Sequence, residues 1–118
     1  MPIQSRYLFT AAMDVEPSKD AIFNEVYDME HVPALLQVPG VVSVARFRRR
    51  PLEMFIGGER KKIVIEGEPS YTALYELASP EVLVSDAWAK AVDQGRWPGQ
   101  VRPHTSNRRH VLYRRLPG

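Results

Sequence analysis

Seven consecutive residues, Tyr27-Asp28-Met29-Glu30-His31-Val32-Pro33, gather a compact cluster of titratable and aromatic groups. His31 carries the chemistry of most interest, because an imidazole titrates nearest neutral pH. Its expected place is the C-terminal end of a helix, where the negative end of the dipole favours the imidazolium. Asp28 lies three residues earlier and Tyr27 four earlier, so either can orient the ring if the last turn stays helical. A histidine held this way can pass a proton to or from a phenol or an enol without a metal or an organic cofactor. A plainer reading competes with this one. A 100° wheel puts His31 with Asn24 and Asp28, opposite the apolar stripe, where it would cap the helix and face solvent. Asp28 and Glu30 then read as solvated charges, and Tyr27 as a packing residue with its hydroxyl at the edge.

The other chemistry-bearing residues are dispersed. His104 and His110 share strand parity but stand ~20 Å apart on an extended chain, too far for one ion. Either can in principle ligate a haem, and nothing singles one out. Tyr7, Tyr71, Tyr75 and Trp88 read as core packing or as walls of a cavity on the sheet. Trp97, in a Trp-Pro-Gly loop, reads as a lid or a contact between subunits. Arginines cluster at Arg46, Arg48, Arg49 and Arg50, at Arg108-Arg109 and at Arg114-Arg115. Strand alternation splits them between two faces, and the glycine-aromatic signature of RNA-recognition sheets is absent, so nucleic acid is not an expected partner. No Ser/His/Asp pattern, phosphate-binding loop or dinucleotide fingerprint occurs. No cysteine is present, which excludes disulfides and thiolate chemistry.

The elements that must position these groups follow from periodicity and punctuation. The chain has 118 residues, 44% apolar and 25% charged, with a formal charge of +2. These values predict one globular domain spanning 1–118. There is no basic-then-apolar leader and no run near the ~20 apolar residues of a membrane helix, so a cytoplasmic location without a membrane partner is the expectation. A strand is predicted over about residues 5–13. A helix follows from Pro17 to Met29 or Glu30, its stripe formed by Ile22, Val26 and Met29 with Phe23 beside it. Pro33 pushes Val32 out of the helical region and ends that helix, with one more short turn at Ala34-Leu36. Pro39-Gly40 turns the chain into a strand over Val41–Arg50.

Residues 52–69 are predicted to be an insert or a hairpin with Gly57-Gly58 at its tip. Tyr71–Ala78 is a strand. Ser79-Pro80-Glu81 starts a second helix, with re-capping at Ser85-Asp86 and an end before Gly95. Residues 95–103 read as loop and His104–Leu116 as the last strand. The order, β-α-β-β-α-β, predicts an α+β, ferredoxin-like antiparallel sheet with both helices on one face. The strands are apolar on both alternations, Tyr7 and Phe9 against Leu8, and Tyr71, Ala73 and Tyr75 against Leu74. A sheet with one wet face shows cleaner alternation. The expected cover for the second face is another copy of the chain, a homodimer through the sheet.

The run FNEVYDMEHVPALLQVPGVVSVARF resembles the EthD-like branch of the dimeric α/β-barrel (ferredoxin-like) superfamily, through Tyr27, Asp28, Glu30, His31, Pro33, Pro39-Gly40 and Arg46. YTALYELASPEVLVSDAW resembles the same family's third strand and second helix. One departure is Val26, where the family often has a large aromatic. The resemblance implies a small cofactor-independent enzyme of the monooxygenase, cyclase or decarboxylase kind. It would act by proton transfer on an aromatic or polyketide-like molecule, with His31 catalytic and Tyr27, Asp28, Tyr7 and Tyr75 binding the substrate. The alternative is a non-catalytic dimeric protein that binds a similar ligand.

Overall fold

The computed structural model describes residues 3–117. Four strands form one antiparallel sheet: β1 (Tyr7–Val15), β2 (Val41–Arg48), β5 (Tyr71–Leu77) and β6 (Thr105–Arg114). Their order is β2-β5-β1-β6, the arrangement expected of a ferredoxin-like α+β domain. Residues 52–69 contain a separate two-stranded hairpin, β3 (Leu52–Ile56) and β4 (Glu59–Ile63). Gly57 and Gly58, both at positive φ, make its two-residue turn. The hairpin is almost wholly exposed and does not cover the main sheet.

The segment from Pro17 to Leu36 departs most from the sequence reading. A short 3₁₀ turn leads into α1 (Asp20–Val26), a π-turn at Tyr27–His31 follows, and α2 (Val32–Leu36) continues from it without a break. The Val32 amide donates to the Tyr27 carbonyl five residues back, and Val32 keeps right-handed helical dihedrals. Pro33 therefore does not end the helix. It has no amide to pair, and the wide turn before it gives its ring room. The widened turn also shifts the helical phase. Val26 is buried as expected, and the buried row runs through Phe23, Tyr27, His31 and Leu35, each four residues from the last. On a straight α-helix that spacing drifts 40° per step, and the extra residue in the π-turn takes up the drift. Met29, placed on the buried stripe by the wheel, is 71% exposed, while His31, placed opposite, is 6% exposed.

The second helical region divides where its caps indicate. A 3₁₀ turn (Pro80–Val84) gives way to α3 (Asp86–Ala91), and the Ser85 hydroxyl accepts from the Trp88 amide at 3.1 Å. Residues 95–103 are not open loop. They form a second π-turn, Trp97–Val101, and a 3₁₀ turn, Arg102–His104, burying Trp97 and Val101. His104 lies in that turn, ahead of β6, with its Nδ1 3.0 Å from Glu16.

The core sits between the helices and one sheet face, on Ala11, Met13, Tyr71, Ala73, Tyr75 and Leu77 with Phe23, Val26 and Leu35 above them. The opposite face carries Leu8, Ala12, Ala45, Phe47, Leu74, Val111 and Tyr113 by register, interspersed with Thr10, Ser43, Thr72, Glu76 and Arg109. Phe47, Val111 and Tyr113 are exposed there. No helix among the described residues is long and apolar enough to cross a membrane.

Candidate functional site

The two π-turns face each other, and their side chains build the site. His31 comes from the first and Trp97 from the second. The rings stack with centroids 4.1 Å apart and planes 15° apart. Tyr27 meets both rings edge-on, at 5.0 Å from His31 and 4.9 Å from Trp97. Glu30 holds the second turn in place. Its carboxylate accepts from the Arg96 amide at 2.9 Å and from Arg96 Nε at 2.5 Å. These bonds, the backbone one first, hold the Glu30 carboxyl below its ordinary range. Glu25 adds a further contact to Arg96 at 3.0 Å. Glu30 is thus a clamp that seats Trp97 on His31, and not the solvated charge expected from the wheel.

Asp28 turns away from His31. It pairs with Arg46 at 2.7 Å and stays exposed. The Arg46 guanidinium also donates to the Asn24 side-chain carbonyl at 2.8 Å and lies 4.3 Å over the Tyr27 ring. The expected Asp28–His31 orientation is replaced by Trp97 stacking.

Beneath this aromatic layer lies a cavity of about 210 Å³ between the helices and the sheet. His31, Tyr27, Trp97 and Leu35 line it from above, Trp88 and Val92 from the side, and Phe9, Ala11, Met13, Tyr75 and His110 from the sheet. Arg102 and Arg108 complete the wall. Tyr7 and Asp28 stand outside this lining. Tyr7 is half-buried at the end of β1, packed against the core. The Tyr27 and Tyr75 hydroxyls are 2.7 Å apart and buried. Burial pushes both phenols up, so both are neutral near pH 7. Only one of the two protons is used between them.

His31 is the second unusual group. Burial first, then the charges of Arg102 and Arg46, lower its pKa from 6.5 to about 4. That fall corresponds to about 3 kcal/mol against the charged form. A helix-end dipole is worth about 0.3–1 kcal/mol in exposed settings, and the helix in any case continues to Leu36. The imidazolium expected at a helix end is therefore a neutral imidazole. Its Nδ1 is sealed in with no hydrogen-bond partner. His110, stacked on Phe9 at 5.9 Å, is likewise shifted down by burial and by Arg108. Among the described residues no three His, Asp or Glu side chains gather as metal ligands.

The sequence reading did not find Trp97, Arg102, Arg108 and His110 as neighbours of His31. Trp97 is placed by the Glu30–Arg96 clamp, between residues 66 apart in the chain. Local periodicity carries no such signal.

The sheet order and helix placement define a ferredoxin-like domain with an aromatic cavity on its covered face. Solved structures share that fold. A point mutant of MhuD, described with two manganese protoporphyrin IX bound per active site, aligns with a TM-score of 0.62 and 13% identity, covering 95% of this chain and 96% of that one. The heme-degrader MhuD from Mycobacterium tuberculosis, with two hemes in its active site, gives 0.59 and 14%, over 95% and 97%. An ethyl tert-butyl ether d (EthD) family protein from Bacillus halodurans gives 0.55 and 13%, over 93% and 99%. No protein-family model matches the sequence, and no curated protein matches it. The likeness is one of fold, and it agrees with the EthD-like pattern read in the sequence.

Proposed function

We propose that this protein is a small homodimeric enzyme that moves a proton on an aromatic or polyketide-like molecule held in the His31 cavity. One observation carries the proposal: a buried imidazole, held neutral by that burial, forms part of the wall of an aromatic cavity. A neutral imidazole in a cavity wall has a free lone pair with which to take a proton. Neutral His31 accepts a proton at Nε2 from a substrate C–H or O–H. The bond to hydrogen breaks, its electron pair stays on the substrate as an enolate or phenolate, and a new N–H forms. Negative charge developing beside the ring favours the imidazolium, which opposes the burial and the arginine charges that keep the free imidazole neutral. The spare hydroxyl proton of the Tyr27–Tyr75 pair is a donor for the same developing oxyanion.

The cavity limits what can enter. About 150 Å³ of apolar space accommodates benzene, so 210 Å³ suits one or two rings. It lies below the roughly 300–1,000 Å³ of drug-sized sites. A porphyrin, as bound in MhuD, requires a wider opening between the π-turns. The dimer rests on the second sheet face, where Phe47, Val111 and Tyr113 stay exposed.

A second reading, a non-catalytic dimeric binding protein, draws on the same imidazole: a group protonating only near pH 4 is a weak base until the ligand's charge strengthens it. Screening phenols, quinones and aromatic ketones for turnover by wild type and His31→Gln separates the two. Turnover lost in the variant with binding retained supports the enzyme. Binding with no turnover in wild type supports the second reading.

A further inference from the structure

Arg108 lines the cavity from β6 and is exposed, so it marks the side on which the cavity meets solvent. Its hydrogen bonds go only to neutral oxygens. Nη2 donates to the Arg102 carbonyl at 2.7 Å and to Thr105 Oγ1 at 2.5 Å, and Nε donates to the same hydroxyl at 2.9 Å. Among the described residues no carboxylate forms an ion pair with it.

The neighbouring cations differ. Arg102 is paired with Asp93 at 2.9 Å, and Arg46 with Asp28 at 2.7 Å. Arg108 is therefore the lining cation whose charge nothing nearby balances, and three bonds fix its guanidinium. Apart from the paired Arg102, the other polar groups of the wall are neutral: His31 and His110 imidazoles and the Tyr27 and Tyr75 phenols. Among the described residues no acidic side chain lines the cavity. An aromatic chamber with one fixed, unbalanced guanidinium at its open side matches a flat ring bearing a single negative group.

We infer that the ligand of this cavity is an aromatic or enolic acid of one or two rings, its ring against Trp97, Trp88 and Phe9 and its carboxylate or phenolate on Arg108. This rests on the reading of the His31 cavity as the binding site and adds the charge of the ligand and the residue that selects it. Arg108 sits in a rim position and acts on binding, while proton transfer remains with His31.

The test compares benzoate with its neutral isostere benzamide by calorimetry and by shifts of the tryptophan indole resonances, for wild type and Arg108→Gln. Arg108 is exposed, so the variant should melt with the wild type, and thermal unfolding checks this. Benzoate should bind wild type about tenfold more tightly than benzamide, as expected of a charge-assisted hydrogen bond. Arg108→Gln should erase that preference and leave benzamide unchanged. Added salt should weaken benzoate alone. Equal binding of both probes by wild type overturns the inference and leaves the aromatic-cavity reading standing. Equal weakening of both by Arg108→Gln overturns it too, since Arg108 would then shape the wall and not select charge. If neither probe binds or moves the indole resonances, the reading of the cavity as the binding site fails, and the inference with it.

Discussion

Trp97 lies flat on His31, with the ring centroids 4.1 Å apart and the planes 15° from parallel. The stack joins two π-turns that are distant in the chain and covers one face of the imidazole. Both rings form part of the cavity wall, and burial of the imidazole, with the charges of Arg102 and Arg46, keeps it neutral.

Removing the stacking ring should therefore have two effects. Trp97→Ala deletes a buried indole and should cost about 3–5 kcal/mol, read by denaturant unfolding. In the surviving fold His31 regains water, so its pKa should rise from about 4 towards the ordinary histidine value. Trp97→Phe should lose less stability and keep the imidazole neutral.

Stability should depend on pH through the same group. The folded pKa of His31 is below its unfolded value of 6.5. Between about 4 and 6.5 the unfolded chain binds more protons at this site, so stability rises with pH across that window and falls as pH drops through it. The full change is on the order of 3 kcal/mol. Urea unfolding at pH 5 and pH 7 should show a clear difference in wild type and a smaller one in His31→Gln. Carboxylates held low by hydrogen bonds, Glu30 and Glu76 among them, lose their contribution only on further acidification, so the windows separate. An unchanged pH dependence in the variant would remove His31 as its cause.

Gly95 tests how the clamp is assembled. It sits at φ +65° just before Arg96, and an added Cβ would collide with the Glu30 carboxylate. Gly95→Ala should cost about 1–3 kcal/mol, from backbone strain and from the displaced clamp. The near-ultraviolet circular dichroism of Trp97 should weaken with it. Glu30→Gln, which keeps shape but removes charge, should give a milder form of the same change.

Much of the fold was legible because its signals are local. Strand parity placed Tyr71, Ala73 and Tyr75 on one face, and Ser85 announced the cap of α3. The site was less legible. The wheel assumed an unbroken 3.6-residue period, and one wide turn at Tyr27–His31 exchanged Met29 for His31 on the buried face. The helix rule for Pro33 failed at the same turn. Trp97 needed a long-range ion pair to reach its place, and Asp28 found Arg46 on β2 instead of His31. The family pattern pointed to His31, but its charge state depended on burial, and burial is a tertiary property.

The open sheet face makes a prediction about assembly. Phe47, Val111 and Tyr113 are half-exposed on it. Wild type should be a dimer by light scattering at micromolar concentration. Phe47→Glu with Val111→Glu should yield a folded monomer with an unchanged circular dichroism spectrum. A wild-type monomer would remove the homodimer from the account.

The central claim is that a small aromatic molecule meets neutral His31 inside the cavity. The most direct measurement is the imidazole nitrogen spectrum at pH 7 during titration with 2-naphthol. The account predicts that the His31 Nε2 resonance starts at the neutral position, moves and saturates, while His104, outside the cavity, stays fixed. A His31 signal that starts charged, or that stays still while only His104 responds, would contradict it.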